Sequence, residues 1–435
     1  MKKYLSGIGK YAGVFAVTLF LLWLVLFLSA LIPNDSIRDN MEKSALSYKK
    51  SDAFEFTDDN NLNSVSDNYA DTIWLNVAWN MGKENPLSAT IATNYYDGEG
   101  YGENAGLYLT IAGDVPPNTD YTRYWHGTAA FLRITHLFTD ISGAKTIGFI
   151  LFLSLLALTS FMLVRKKHWD IALILLSSLA LVHIWRLHLS IEYQPSFILT
   201  FALIPLYLTL ERKGDKWLKI LGVIGGASVA FFDFLTTETV TILLPLALVI
   251  AIRAKEERLQ GFKESLFLII KCLILWGCAY IGAFLVKWII ASLVTGGNVF
   301  EIALSSVSER LGEIPASFVE KSDSFLSAPL ANLNMLFGGG ERVDYTQVFV
   351  GVAISASVLI SVWYVFRKSK SIHPASKLLL ILGAVVLLRY LILNNHSYIH
   401  CFFTYRALSS LIFTILSATW LDMRFSQGKK RKKKS

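Results

Sequence analysis

Hydrophobic positions in this chain are gathered into ten blocks, and polar positions fill the segments between them. The first block covers 11–32. After a long polar stretch the others cover 146–164, 169–185, 195–210, 217–232, 239–252, 267–293, 348–366, 378–393 and 405–421. A helix needs about 17 to 25 mainly apolar residues to cross roughly 30 Å of hydrocarbon. Only helices and closed barrels satisfy their backbone polar groups in lipid, and these blocks lack the period-two alternation of barrel strands. The pattern predicts an all-α polytopic membrane protein with about ten transmembrane helices.

Composition agrees. Of 435 residues 53% are hydrophobic and 17% charged, against about 25% charged in soluble domains. That is too few charges to cover a water-facing surface. The net charge of +8 reads as topology and not as nucleic-acid binding. Bases gather at Lys2, Lys3 and Lys10, at Arg165-Lys166-Lys167, at Arg212-Lys213 with Lys216, from Arg253 to Lys263, and at Arg367-Lys368 with Lys370. Under the positive-inside rule these segments and both termini are cytoplasmic. The tail of Lys429, Lys430, Arg431, Lys432, Lys433 and Lys434 then anchors against anionic lipid of the bilayer. A basic start before an apolar run also describes a signal peptide. This run is long for one, and Leu28-Ser29-Ala30 is a weak cleavage site, so an uncleaved anchor is expected. Cys272, Cys278 and Cys401 show no disulfide or metal spacing.

The organisation expected is an anchor over 1–32, an extracytoplasmic loop over 33–144, a nine-helix bundle over 145–423 interrupted by an outer loop at 295–347, and a basic tail over 424–435. The first loop is acidic, with Asp35, Asp39, Glu42, Asp52, Glu55, Asp58, Asp59, Asp67 and Asp71, and rich in Trp and Tyr. Amphipathic stretches at 73–79 and 127–138 predict an ordered unit with helices lying on the membrane surface.

Candidate chemistry lies at the outer helix ends, where His183, Arg186, His188 and Glu192, then Asp233, Thr236, Thr237 and Glu238, then Arg389, His396, His400 and Arg406 recur. Ionisable groups at membrane depth pair with one another or serve a function. On one reading Asp233 and Glu238 neutralise Arg186, Arg389 or Arg406 as structural ion pairs. On the other, the arginines hold a phosphate through their planar fork and the acids act on a sugar or hydroxyl. In the first loop Asp67 and Asp71 stand four apart, where they either cap a helix or supply a general base. The run Arg123-Tyr124-Trp125-His126-Gly127 concentrates a cation, aromatics and an imidazole, suited to a sugar or to the interfacial aromatic belt. Gly338-Gly339-Gly340 lacks the Lys-Ser or Lys-Thr of a phosphate-binding loop.

One helix, then a large acidic outer loop, then a multi-helix bundle resembles the GT-C class of membrane glycosyltransferases. The phrases Tyr69-Ala70-Asp71, Arg123-Tyr124-Trp125-His126-Gly127, the run from Phe232 to Glu238, and the runs from His396 to His400 and from Thr404 to Arg406 also resemble a family of uncharacterised bacterial polytopic membrane proteins. The GT-C resemblance implies an enzyme of the bacterial cell membrane that moves a sugar from a polyprenyl-phosphate carrier to an envelope glycan or glycolipid acceptor. It implies Asp71 as the base, with Asp67 and Asp35 as rivals, although the key acid of that class often lies nearer the first helix. Arg406, His400 and Arg186 would hold the leaving phosphate. Asp233 and Glu238 would position the sugar or bind a divalent cation, and Arg123, His126, Glu192, Arg389 and His396 would complete the substrate site. No metal or other cofactor and no nucleic-acid partner is expected. The alternatives are a transporter or flippase of an anionic lipid or solute, and a non-catalytic envelope-assembly subunit.

Overall fold

Residues Lys2–Ala30 form one continuous helix that ends where Pro33, extended at φ −61° and ψ 139°, takes the chain out of the helical region. The computed structural model describes residues 2–58, 61–83, 85–233, 235–311, 324–339 and 372–432, with isolated positions between 352 and 367. Among these, five helices are long and apolar enough to cross a membrane: Gly9–Ala30, Ile141–Arg165, Phe262–Thr295, Pro374–Ile392 and Cys401–Ser426. Val17, Phe20, Leu21, Val25, Ile150 and Phe161 stand exposed on the first two. Such apolar faces are unfavourable in water and at home against acyl chains. The chain is a multi-pass membrane protein.

Ten crossings are not what the described residues give. Four of the apolar blocks fold as the shorter helices Trp169–Ala180, Pro195–Leu210, Asp215–Phe232 and Val240–Lys255, of 12, 16, 18 and 16 residues. At 1.5 Å per residue they reach only about 18 to 27 Å, less than the roughly 30 Å core. Apolar composition runs on past the first of these. Its backbone does not: it turns through His183, left-handed at φ 52°, into a single 3₁₀ stretch, Ile184–Leu189. Block 348–366 lies outside the described residues, as does much of the outer loop 295–347, of which Val299–Leu311 and Ser327–Asn334 are helical.

These nine helices run between two ends of the molecule, and each of the turns joining 141–165 to 262–295 reverses the chain. At one end Lys145, early in Ile141–Arg165, meets Asp71 of the first loop. At the other, Arg253 of Val240–Lys255 pairs with Glu211 (3.0 Å) and Asp215 (2.8 Å), Arg258 with Glu211, Arg212 with Glu256, and Lys255 with Asp170. The basic connections are thus knitted together at the far face. Val240–Lys255 is the central helix, buried from Val240 to Ala254, and it packs against Pro195–Leu210, Pro374–Ile392 and Leu408–Lys432.

The first loop is a folded cap. Helix Asn68–Asn80 is buried except at Tyr69, its polar Asp71, Asn76 and Asn80 included, so it forms the cap's core and does not lie on the membrane surface. Thr128–Thr135 is likewise packed inward, through Ala129, Ala130 and Leu132. The cap is fastened to the first helix by Arg133, which is wholly buried. Its Nε donates to Ser29 O (2.9 Å), its Nη1 to Ala78 O (2.5 Å) and Asn34 Oδ1 (3.0 Å), and its Nη2 to Ile32 O. One guanidinium thereby bonds carbonyls at the ends of two helices, where a cation is also favoured by the backbone dipoles. Gly82 is required at this contact. A Cβ there would stand 2.0 Å from Asn34 Oδ1 and 2.5 Å from Arg133 Nη2.

Candidate functional site

The cap delivers its acids to the bundle by way of a short hairpin. Strands Phe54–Phe56 and Val65–Asp67 pair antiparallel, with Phe54 opposite Asp67. Asp67 ends its strand and caps the next helix, its Oδ1 accepting from Ala70 N at 2.8 Å. One turn later Asp71 points to the bundle. Its carboxylate is unexposed and fully engaged: Oδ1 accepts from Ser190 Oγ (2.7 Å) and Ile191 N (2.9 Å), and Oδ2 from Tyr48 OH (2.9 Å) and Lys145 Nζ (2.7 Å). A carboxylate has about four lone-pair sites, and all are taken. Asp71 is an anchor between cap, first bundle helix and the segment before Pro195–Leu210. The resemblance-based choice of Asp71 as base has no free lone pair to work with.

Asp67 is differently placed. It is 3% exposed, and its carboxyl is hydrogen-bonded to that of Glu192, 7% exposed. Burial first, and then the charge of Asp71, push Asp67 up to about 7. Burial, followed by the charges of Asp67, Asp233 and Asp71, pushes Glu192 well above the carboxylate range. Two buried carboxyls in contact cannot both ionise, so the pair holds a proton, with Glu192 donating to Asp67. Asp233 completes the acidic zone. It accepts from Ser196 Oγ (2.7 Å), from Thr236 N (2.9 Å) and from the Thr236 hydroxyl.

Across Tyr193 from these acids lies Arg406. Tyr193 anchors its hydroxyl to Val65 O at 2.9 Å, and the Arg406 guanidinium lies over its ring at 4.6 Å and over that of Tyr405 at 5.0 Å. Arg406 is 1% exposed, and Nη1 makes a 3.3 Å bond to Phe402 O, but Nε and Nη2 have no partner. A buried, incompletely paired cation is costly. An anion on that edge would satisfy it through two charge-assisted hydrogen bonds. An apolar groove of about 200 Å³ is lined by Thr128, Phe131, Ile191, Gln194, Ile198 and Phe232, of which Ile191 and Phe232 precede Glu192 and Asp233 in the chain.

The other expected residues divide into separate groups. Glu238 and Arg389 form a buried bidentate pair at 2.9 and 3.2 Å, with Arg389 also donating to Ser397 Oγ and Leu235 O. The structural reading holds for that pair. Arg186 is held by Asp58 at 2.8 Å and by Asn63. His396 bonds Leu235 O at 2.9 Å, and His400 stacks on Phe403. Burial and neighbouring positive groups push His396 well below the imidazole range and His400 down to about 3, so both are neutral and cannot supply charge to a phosphate. Arg123 and His126 lie apart in the cap. His126 adopts φ 56°, bonds Tyr121 O at 2.8 Å and packs edge-on against Trp74. Asp35 is remote from the cluster, at the protein surface beside Arg38.

Sequence reasoning missed Lys145, Ser190 and Tyr193. Lys145 carried the only available signal, a lone lysine at the mouth of an apolar block on the side where bases are scarce. Among the described residues no group of three His, Cys, Asp or Glu side chains is arranged to hold a metal ion. No protein-family model, curated protein or solved structure matches the chain.

Proposed function

We propose that the chain is a GT-C-type glycosyltransferase of the bacterial cell envelope, taking a sugar from a polyprenyl-phosphate carrier to an extracytoplasmic acceptor. The observation that carries this reading is Arg406, a buried guanidinium with an open edge, across Tyr193 from a proton-holding acid pair. Asp67 accepts the proton of the acceptor hydroxyl. The oxygen attacks the anomeric carbon, the bond from that carbon to phosphate oxygen breaks, and its electron pair leaves with the phosphate. Configuration inverts in this single step. Arg406 binds the charge that grows on the leaving oxygen. Glu192 shares its proton with Asp67 and tunes it, and Asp71 holds the frame. The apolar groove lined by Ile191 and Phe232 suits the first isoprene units of a lipid-linked donor.

The topology proposed with it has ten crossings and both termini cytoplasmic. The collection of basic connections at the face opposite the cap supports it. The proton-holding acids favour one other reading, proton-coupled export of an anion past Arg406.

The test is purified protein in proteoliposomes with a panel of polyprenyl-phosphate sugars, following release of polyprenyl phosphate. Release from at least one donor, abolished by Arg406→Gln and Asp67→Asn, is expected. Release from none, with proton movement driven by an anion gradient instead, replaces the enzyme with the transporter.

A further inference from the structure

A second cationic cluster sits where the cap meets helix Val299–Leu311, and the mechanism leaves it unused. Arg123, from the first loop, lies 4.4 Å over the Tyr121 ring and 5.0 Å over the Tyr124 ring, and hydrogen-bonds the Tyr124 hydroxyl. Arg310, from helix Val299–Leu311, donates through Nη2 to that same hydroxyl and through Nη1 to Ser306 O at 2.7 Å. Two guanidinium groups from two loops far apart in sequence therefore converge on one phenol oxygen. The Nε of each is buried and without a partner. Among the described residues neither arginine is in an ion pair, although the cap as a whole is acidic. The nearby His396 and His400 feel Arg310 as a repelling charge and do not offset it.

Two clustered arginines without a carboxylate repel one another, and a protein keeps such an arrangement for an anion. Planar forks with several N–H donors match a tetrahedral group with at least three acceptor oxygens better than a single carboxylate. Tyr121, Tyr124 and Tyr95, with ring centroids 5.4 Å apart in succession, provide apolar faces next to the cations, and such faces suit a sugar ring. We propose that Arg123 and Arg310 form a second anion site, which takes a phosphate group of the acceptor, with the Tyr124 hydroxyl as a third hydrogen-bonding group. Assignment to the acceptor rests on the transferase reading, in which Arg406 already serves the donor phosphate. The anion site itself does not rest on it.

The test is isothermal titration of the full-length protein in detergent with inorganic phosphate, comparing wild type, Arg123→Gln/Arg310→Gln, Arg310→Lys and Arg406→Gln. Melting temperatures serve as the check on folding. Two classes of phosphate site are expected in wild type. The double variant weakens one by at least tenfold and keeps the other. Arg310→Lys keeps partial affinity because the charge remains, and Arg406→Gln spares the cap site. Phosphate binding in the double variant equal to wild type overturns the cap site. Failure of Arg406→Gln to affect either site removes the donor assignment and leaves the cap site standing. Repeating the titration in nanodiscs distinguishes the source of the phosphate. Equal affinity in phosphatidylcholine and phosphatidylglycerol supports an acceptor phosphate, whereas competition by phosphatidylglycerol makes the ligand a lipid headgroup and overturns the acceptor assignment.

Discussion

Asp71 and Lys145 meet at 2.7 Å with the carboxylate wholly shielded from solvent. The pair joins the cap to the first helix of the bundle, and Tyr48, Ser190 and the Ile191 amide close around it. Removing one member of a buried pair strands the other charge and costs about 3 to 5 kcal/mol. Lys145→Met and Asp71→Asn are each expected to lower the melting temperature strongly. The double variant should lose less than the sum of the two, since no stranded charge remains. Additive losses in that cycle contradict the pairing.

Arg406 reverses this logic. A guanidinium with an open buried edge weakens the folded state, so Arg406→Met is expected to melt at the same or a higher temperature than wild type while losing function. Stability held against activity is the mark of a binding residue. A marked loss of stability would make Arg406 structural.

Asp67 governs the pH response. Its ordinary value of 3.8 is pushed up to about 7 in the folded protein, mainly by burial. Folding therefore takes up a proton. That contribution to stability is complete below the ordinary value and is lost as pH rises through about 7. Thermal melts from pH 5 to 8 should show wild type losing stability as pH rises, with Asp67→Asn flatter. Catalysis needs the ionised form, so transfer should increase over the same range. Equal slopes in the two proteins contradict the assignment.

Gly82→Ala tests the seat of the cap. The added carbon meets Asn34 and a guanidinium that four other bonds hold in place. Overpacking of this kind costs about 1 to 3 kcal/mol, and faster protease cleavage within 33–144 than in wild type is the expected sign.

Helix positions were legible wherever a long apolar block coincided with a helix, as in Ile141–Arg165 and Phe262–Thr295. Hydropathy alone overstated 169–185, because apolar residues continue through a turn that only the left-handed His183 reveals. Of the expected acidic and basic residues, Asp67 and Glu192 come together and Glu238 takes Arg389, and neither partnering was legible. Asp67 and Asp71 are one helical turn apart and chemically alike in sequence. What separates them is Lys145 and Ser190, brought in from elsewhere in the chain to fill one carboxylate, and Glu192, which leaves the other sharing a proton. In the same way, nothing in the sequence distinguishes Arg389, matched to Glu238, from Arg406, which is left open.

The most direct measurement is mass spectrometry of envelope glycans from a deletion strain complemented, at matched protein levels, with wild type, Asp67→Asn, Asp71→Asn or Arg406→Gln. A sugar should be lost on deletion and restored by wild type, and restored by Asp71→Asn in proportion to its folded protein. Asp67→Asn and Arg406→Gln should restore none. Full restoration by those two variants, or envelope glycans unchanged by the deletion, would contradict the proposed transfer.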